Sequence, residues 1–141
     1  MKRKERVGYT TGVFDMFHIG HLNIIRKSKG ECDKLIVGVC TDRLVRELKD
    51  KDPIIPFEER AEIVRNIKYV DEIVPQDKRD EIADFHKYHF NVIIKGDSWK
   101  GTERWNNLEE EFKKLGVEVK YFPYTKHISS TKLREKIKPK V

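Results

Sequence analysis

The sequence has few cysteines and no long apolar run. Cys32 and Cys40 are the only two cysteines among 141 residues, and they show no metal-ligand spacing. Two such thiols favour reduced cysteines in a cytoplasmic protein over a disulfide framework or a zinc site. The apolar runs are too short to span a bilayer, so no membrane insertion is expected. The basic start is not followed by an apolar segment, so no secretory signal is predicted.

Charge of one sign is not concentrated in one block either. The 30 lysines and arginines exceed the 24 aspartates and glutamates, and the net charge is +6. This excess favours anionic partners, but the bases are interleaved with acids, so no nucleic-acid partner is predicted. The sequence shows no repeat and no linker. We therefore expect one domain over residues 1–141, in which residues 1–6 form a flexible basic tail.

Strand-like and helix-like segments alternate along the chain. Apolar runs predict strands over residues 7–11, 34–40, 71–74, 91–95 and 117–122. Helical spacing predicts helices over residues 21–29, 57–67, 79–88, 106–115 and from Ser129 or Ser130 to 137, with Gly116 as a C-cap. Residues 41–56 are interpreted as a polar segment. The alternation predicts an α/β fold with a parallel sheet wound on both faces.

In such a sheet, ligands bind outside the carboxyl ends of the strands. Polar segments follow three of the predicted strands, over residues 15–21, 96–104 and 125–131. We expect these three segments to converge on one site.

The most specific pattern is His18-Ile19-Gly20-His21, which follows the first predicted strand. At this spacing both imidazoles can share one face at the start of a helix, beside its free backbone N–H groups. The pattern therefore predicts a phosphate site. The alternatives are local capping or packing by each histidine, or a metal pair. Zinc is disfavoured, because no further His or Cys cluster supplies the remaining ligands, and no metal site is predicted.

The pattern Gly12-x-Phe14-Asp15-x-x-His18-x-Gly20-His21 resembles the signature of the nucleotidyltransferase superfamily with the His-x-Gly-His motif. Its Gly-x-Phe-Asp part is similar to the cytidylyltransferase branch, most of all to bacterial glycerol-3-phosphate cytidylyltransferases. Residues 63–75, 95–101 and 128–131 also match family segments in order. The resemblance implies a Rossmann-like, doubly wound parallel sheet of five strands in the order 3-2-1-4-5.

The resemblance also implies a reaction. We expect transfer of CMP from CTP to a small phosphorylated alcohol, foremost glycerol 3-phosphate, giving pyrophosphate and CDP-glycerol for cell-envelope or capsule polymers. Mg²⁺ on the phosphates and a homodimer are expected. The alternatives are glycerol 2-phosphate, phosphocholine or phosphoethanolamine as acceptor, or an ATP-dependent adenylyltransferase of the same superfamily. A non-catalytic nucleotide- or nucleic-acid-binding module is the last alternative.

Roles carry over from the family residue by residue. His18 and His21 are the expected catalytic residues, together with Lys49 and Lys51, whose register leaves the catalytic lysine open. The residues expected to bind nucleotide are Thr11, Gly12, Phe14, Asp15, Gly20, Lys68, Gly96, Asp97, Ser98, Ile128, Ser129, Ser130 and Thr131. The residues expected to bind the acceptor are Lys51, Trp99, Lys126 and His127.

The chain departs from the family pattern at Tyr124, where the family has a phosphate-contacting arginine. We hypothesise that Lys126 or His127 supplies the missing charge. The Ile-Ser-Ser-Thr form at residues 128–131 is also common in adenylyltransferases. A plain helix N-cap is the alternative for that segment. Trp99 and Trp105 also allow a quaternary ammonium pocket through cation–π contact, although no acidic cluster is evident beside them.

Overall fold

The apolar runs form a five-stranded parallel sheet within residues 4–138, the part of the chain that the computed structural model describes. The strands are β1 (Val7–Gly12), β2 (Lys34–Cys40), β3 (Glu72–Gln76), β4 (Val92–Gly96) and β5 (Glu118–Phe122). Their order across the sheet is β3-β2-β1-β4-β5, which confirms the predicted order. Every neighbouring pair is parallel.

Helices connect the strands. In chain order they are α1 (Ile19–Lys29), α2 (Asp42–Lys49), α3 (Phe57–Arg65), α4 (Glu81–Tyr88), α5 (Glu103–Lys114) and α6 (Ser130–Ile137). A single 3₁₀ turn, Asp97–Trp99, follows β4. No helix within residues 4–138 combines the length and apolar character needed to cross a bilayer.

The structure adds a helix within residues 41–56, which the sequence analysis interpreted only as a polar segment. Helix α2 lies there, with the Thr41 hydroxyl accepting a hydrogen bond from the Leu44 N–H as its N-cap. Leu44 and Val45 are buried beneath it, so packing stabilises a segment whose remaining residues are mostly charged.

Several predicted boundaries also move. Helix α1 begins at Ile19 rather than at residue 21, and α5 begins at Glu103 rather than at residue 106. Leu115 takes the C-cap position of α5, and Gly116 follows it with a φ of 77°. Arg6, predicted to belong to a flexible tail, donates hydrogen bonds to Asp33 and to the Glu31 carbonyl. Residues 1–3 of that tail lie outside the described residues.

The sheet is buried on both faces. On one face Tyr9, Ile93 and Phe112 belong to one apolar cluster, and on the other Leu35 and Val64 belong to a second. Because all strands run in the same direction, the helices that follow them begin at one edge of the sheet. That edge carries the candidate site.

Candidate active site

A cavity of about 460 Å³ opens at the carboxyl edge of the sheet. It confirms that segments from the ends of β1, β4 and β5 converge. Eleven of the predicted site residues line it, namely Thr11, Gly12, Phe14, Asp15, His21, Lys49, Lys51, Gly96, Trp99, Ser130 and Thr131.

Other predicted residues support the cavity without lining it. His18 and Gly20 lie directly behind His21, and Ile128 lies beside Gly20. Ser129 caps α6 by accepting a hydrogen bond from the Lys132 N–H at 3.0 Å. Asp97 and Ser98 are exposed in the 3₁₀ turn.

The structure does not bring Lys68 to the cavity. Lys68 follows the end of α3 and precedes β3, so it lies near the amino edge of the sheet, opposite the cavity. Its ammonium group lies 5.1 Å from the ring centroid of Tyr69. Lys126 and His127 are exposed and do not line the cavity either. The positive charge at that wall comes instead from Arg134, which sequence reasoning did not assign to the site.

The two histidines cap helix α1 reciprocally. Nδ1 of His18 accepts the Gly20 N–H at 3.0 Å, and Nδ1 of His21 accepts the His18 N–H at 3.1 Å. The rings stack with their centroids 3.9 Å apart. This is a capping box in which histidines replace the usual hydroxyl and carboxylate side chains.

The capping bonds determine where the histidine protons lie. Burial lowers the pKa of His18 and lowers that of His21 to about 3, with His18 and Lys49 adding to the effect on His21 and Asp15 opposing it. Both rings are therefore neutral at pH 7. Because each Nδ1 accepts a hydrogen bond, each neutral ring carries its proton on Nε2. The pair presents two N–H donors rather than two cations.

One of these donors has no partner within residues 4–138. Nε2 of His18 is buried and makes no hydrogen bond there. Leaving a buried donor unpaired is costly unless a ligand accepts from it. The unpaired Nε2 is therefore available as a donor to a ligand at the histidine pair.

Gly20 is required by the position of the His18 ring. A Cβ at residue 20 would lie 2.8 Å from Cε1 of His18 and 3.0 Å from its Nδ1. Any side chain there would push the ring away from the backbone N–H that it caps. The glycine in the motif thus allows the imidazole to fold back over its own helix.

Asp15 connects the first motif to the last helix. Its carboxylate accepts the Ile54 N–H at 2.8 Å and the Ile55 N–H at 2.9 Å, and pairs with Arg134 at 2.6 Å. Burial alone would raise the pKa of Asp15, but these donors together hold it below its usual range. The Ser130 hydroxyl also donates to the Asp15 carbonyl, so the start of α6 is held against the end of β1.

Arg60 is a buried connector whose hydrogen bonds the sequence did not predict. Its guanidinium donates to the carbonyls of Val13, Cys40 and Ile55 at 2.7 to 2.8 Å. It also pairs with Asp42 at 2.6 Å. These bonds join the ends of β1 and β2 to the segment before α3. The one sequence signal was its position beside Ala61 on the buried face of α3.

The end of helix α2 directs two lysines to the cavity. Asp50 has a φ of 54° and ends the helix in the left-handed conformation. Lys49 and Lys51, on either side of this residue, both line the cavity. The choice between them as the catalytic lysine stays open.

Tyr124 occupies space that only a glycine at position 96 leaves free. A Cβ on Gly96 would lie 2.1 Å from Cζ of Tyr124. The Tyr124 hydroxyl lies 3.1 Å from the Ser98 hydroxyl. The residue that departs from the family pattern is therefore a wall of the cavity, with 53% of its surface exposed.

Sequence reasoning missed several polar residues that line the cavity. They are Thr10, Gln76, Arg79, Glu81, Lys95 and Arg134. Gln76 ends β3 and Lys95 is the penultimate residue of β4, so their position at strand ends was the available signal. Within residues 4–138 no group of three or more His, Cys, Asp and Glu side chains could hold a metal ion.

Comparison with known proteins gives a consistent result. A family model described as "Cytidylyltransferase-like" matches residues 9–136. A bifunctional protein HldE of Koribacter versatilis is 34% identical over 136 residues, which cover 96% of this chain and 28% of that protein. A second HldE, from Citrifermentans bemidjiense, is 45% identical over 62 residues, 43% of this chain and 13% of that protein. The chain thus spans well under a third of these relatives.

Solved structures share the fold. A lipopolysaccharide core biosynthesis protein from Thermoplasma volcanium has a TM-score of 0.73 and 28% sequence identity, covering 89% of this chain and 100% of that one. A pantoate-β-alanine ligase from Francisella tularensis has a TM-score of 0.64 and 13% identity, covering 95% of this chain and 67% of that one. The second likeness concerns the fold alone.

Proposed function

This chain belongs to the cytidylyltransferase-like family of nucleotidyltransferases, and from that premise we propose that it transfers CMP from CTP to a phosphorylated small alcohol. Glycerol 3-phosphate is the first candidate acceptor and CDP-glycerol the product. One acceptor phosphate oxygen attacks the α-phosphorus of CTP. The bond from that phosphorus to the oxygen bridging to the β-phosphate breaks, and pyrophosphate leaves with that oxygen.

The histidine pair is the observation that carries this proposal. Nε2 of His18 is buried and unpaired within residues 4–138, and His21 lines the cavity. Two neutral N–H donors can bind the oxygens of the α-phosphate without a change of protonation. Their hydrogen bonds strengthen as negative charge develops on those oxygens during attack.

The cations around the cavity suit two anionic reactants. Lys49 and Lys51 lie where the acceptor phosphate and the nucleotide would meet, so they can offset the repulsion between them. The leaving pyrophosphate would lie at the start of α6, where Ser130, Thr131 and Arg134 line the cavity. Such a reaction depends on positioning and charge stabilisation more than on covalent chemistry.

We propose that Mg²⁺ reaches this site on the nucleotide. The two carboxylates that line the cavity are already paired, Asp15 with Arg134 and Glu81 with Arg104. The described residues therefore offer the ion no ready ligand set, and the phosphate oxygens of the nucleotide would hold it. We also propose a homodimer, which sedimentation velocity would detect as twice the 16.8 kDa chain mass.

A second candidate is ATP-dependent adenylyl transfer to a sugar phosphate. A relative with 28% identity is named for lipopolysaccharide core biosynthesis, which favours a sugar phosphate as acceptor. The Ile-Ser-Ser-Thr segment at residues 128–131 is compatible with either nucleotide.

A pyrophosphate-release assay separates the two candidates. CTP and ATP are each combined with glycerol 3-phosphate, glycerol 2-phosphate, phosphocholine, phosphoethanolamine and a panel of sugar 1-phosphates. Turnover with CTP and glycerol 3-phosphate supports the first proposal. Turnover with ATP and a sugar phosphate alone supports the second. Absence of turnover with CTP on every acceptor overturns the first. The variant His21→Gln, which lacks the second imidazole, is expected to abolish most pyrophosphate release and so controls for a contaminating enzyme.

A further inference from the structure

Lys95 and Arg79, two cations with no role assigned so far, line the cavity beside Trp99, between the start of α4 and the end of β4. The Lys95 ammonium lies 5.3 Å from the ring centroid of Trp99 and 5.6 Å from that of Trp105. The Arg79 guanidinium lies 4.9 Å from the centroid of Trp99. Lys95, Arg79 and Trp99 line the cavity, and Trp105 is buried behind them. The protein's own cations therefore already contact the indole rings.

The positive charge of this cluster is only partly balanced. Glu81 pairs with Arg104, whose Nε is buried and unpaired within residues 4–138. Lys95 donates one hydrogen bond there, to the Thr11 hydroxyl at 3.3 Å. The Arg79 guanidinium has no ion pair or hydrogen bond in that part of the chain. Three cations thus surround one carboxylate, which leaves a local excess of two positive charges.

Such an excess in a partly enclosed space favours an anion. Burial lowers the pKa of the Lys95 amine, which is the cost of holding that charge away from water. An anion beside Lys95 and Arg79 would offset the cost and would accept hydrogen bonds from both. A quaternary ammonium group would meet two like charges and find the tryptophan faces occupied.

We propose that Lys95 and Arg79 form an anion subsite, which binds a phosphate or carboxylate group of the acceptor and does not hold a quaternary ammonium group. The inference rests on the proposed function, because it assigns the acceptor end of the same cavity. Trp99 then acts as a platform that orients the two cations rather than as a cage for a cationic substrate. The anionic group is either the acceptor's reacting phosphate or a second acidic group on the same molecule.

The test compares three acceptors in the pyrophosphate-release assay: glycerol 3-phosphate, 3-phosphoglycerate and phosphocholine. The variants are Lys95→Met and Arg79→Gln. The matched control is Lys100→Met, which removes a lysine 5.9 Å from the ring of Tyr121 that does not line the cavity. Each subsite variant is expected to raise the KM of an anionic acceptor by about tenfold or more, the scale of one charged hydrogen bond. The KM of the nucleotide is expected to stay near wild type.

The acceptor pattern identifies the bound group. A rise in KM for both glycerol 3-phosphate and 3-phosphoglycerate assigns the subsite to the reacting phosphate. A rise confined to 3-phosphoglycerate assigns it to a second acidic group. In the second case the quaternary ammonium group of phosphocholine would face the subsite. Wild-type protein should then use phosphocholine poorly, and Lys95→Met should reduce the difference in kcat/KM between 3-phosphoglycerate and phosphocholine. Lys100→Met should behave as wild type throughout.

The proposal is overturned if both subsite variants keep the wild-type KM for the two anionic acceptors. It is also overturned if the rise in KM is confined to 3-phosphoglycerate and wild-type protein nevertheless uses phosphocholine as efficiently as glycerol 3-phosphate. If Lys95→Met fails to fold by circular dichroism, the partly exposed Arg79→Gln decides the result. If no acceptor is turned over, the proposed function is refuted, and this result by itself does not refute the anion subsite. Calorimetric binding of 3-phosphoglycerate to wild type and to Arg79→Gln then tests the subsite, and equal affinities overturn it.

Discussion

The glycine between the two histidines allows activity and stability to be separated. In Gly20→Ala the new Cβ would lie 2.8 Å from the His18 ring, so the imidazole must rotate away. Rotation breaks its 3.0 Å bond from the Gly20 N–H and its stack on His21. It also moves the buried Nε2 donor of His18 out of its place behind His21.

The two contributions to stability nearly cancel. Loss of the N-cap bond costs about 1 kcal/mol. Replacement of glycine by alanine in the first turn of a helix stabilises the helix by up to about 1 kcal/mol. The free energy of unfolding should therefore change by less than about 1 kcal/mol. Turnover should fall by about 10²-fold or more, because one donor to the transition state is lost.

The assay pairs kcat from pyrophosphate release with urea unfolding. His18→Asn is the matched variant, because an asparagine oxygen can still cap the helix while the Nε2 donor is absent. It should lose turnover as Gly20→Ala does and unfold near the wild-type midpoint. Wild-type turnover in either variant would refute the reasoning. A large loss of stability in Gly20→Ala would show that the backbone moves instead of the ring.

Three further predictions concern residues around the same cavity. Because native His21 has a pKa of about 3, lowering the pH from about 7 to about 5 protonates this histidine in the unfolded state but not in the folded state, so the free energy of unfolding falls by up to about 2 kcal/mol. Urea unfolding should show a larger loss in wild type than in His21→Gln, and equal losses would contradict the prediction. Arg60→Met should lower the free energy of unfolding by about 3 kcal/mol or more, since it leaves three carbonyls and a carboxylate without their donor. In urea unfolding, the surface variant Arg65→Met should lower it by less than about 1 kcal/mol. Arg134→Met should raise the KM of the nucleotide by roughly tenfold, because α6 loses its ion pair to Asp15 at the end of β1. Lys136→Met, which changes an exposed residue of the same helix, should leave this KM unchanged. Identical KM values in these two variants would exclude a role for the ion pair.

Strands β2 and β4 could be predicted well because they are mostly apolar and buried, whereas the edge strands β3 and β5 include charged residues and are only partly buried. Residues 34–40, for example, form β2 with the predicted bounds. Helix α2 was missed because Leu44 and Val45 are its two buried residues and most of the others are charged. Its stability depends on packing against the end of β2, which a local pattern does not report.

The site residues also divide into those that a local sequence pattern identifies and those that depend on contacts between distant segments. His18 and His21 could be identified together as a candidate phosphate site because the motif is local and its capping bonds close within three residues. The nucleotide-binding role of Lys68 followed from the family pattern and stays a prediction, because the end of α3 carries this residue to the edge opposite the cavity. Arg60 and Lys95 were missed because their hydrogen-bond partners belong to other segments. These partners lie between 5 and 84 residues away along the chain.

The sequence by itself determined the alternation of strands and helices, the edge at which the cavity opens, and the histidine motif, because each depends on periodicity or spacing along a few residues. Tertiary structure decided the charge state of the histidines, the connection of Asp15 to Arg134, and the cations placed over Trp99. These depend on burial and on contacts between distant segments. Desolvation and long-range ion pairs are properties of the assembled cavity, so no single stretch of sequence carries them.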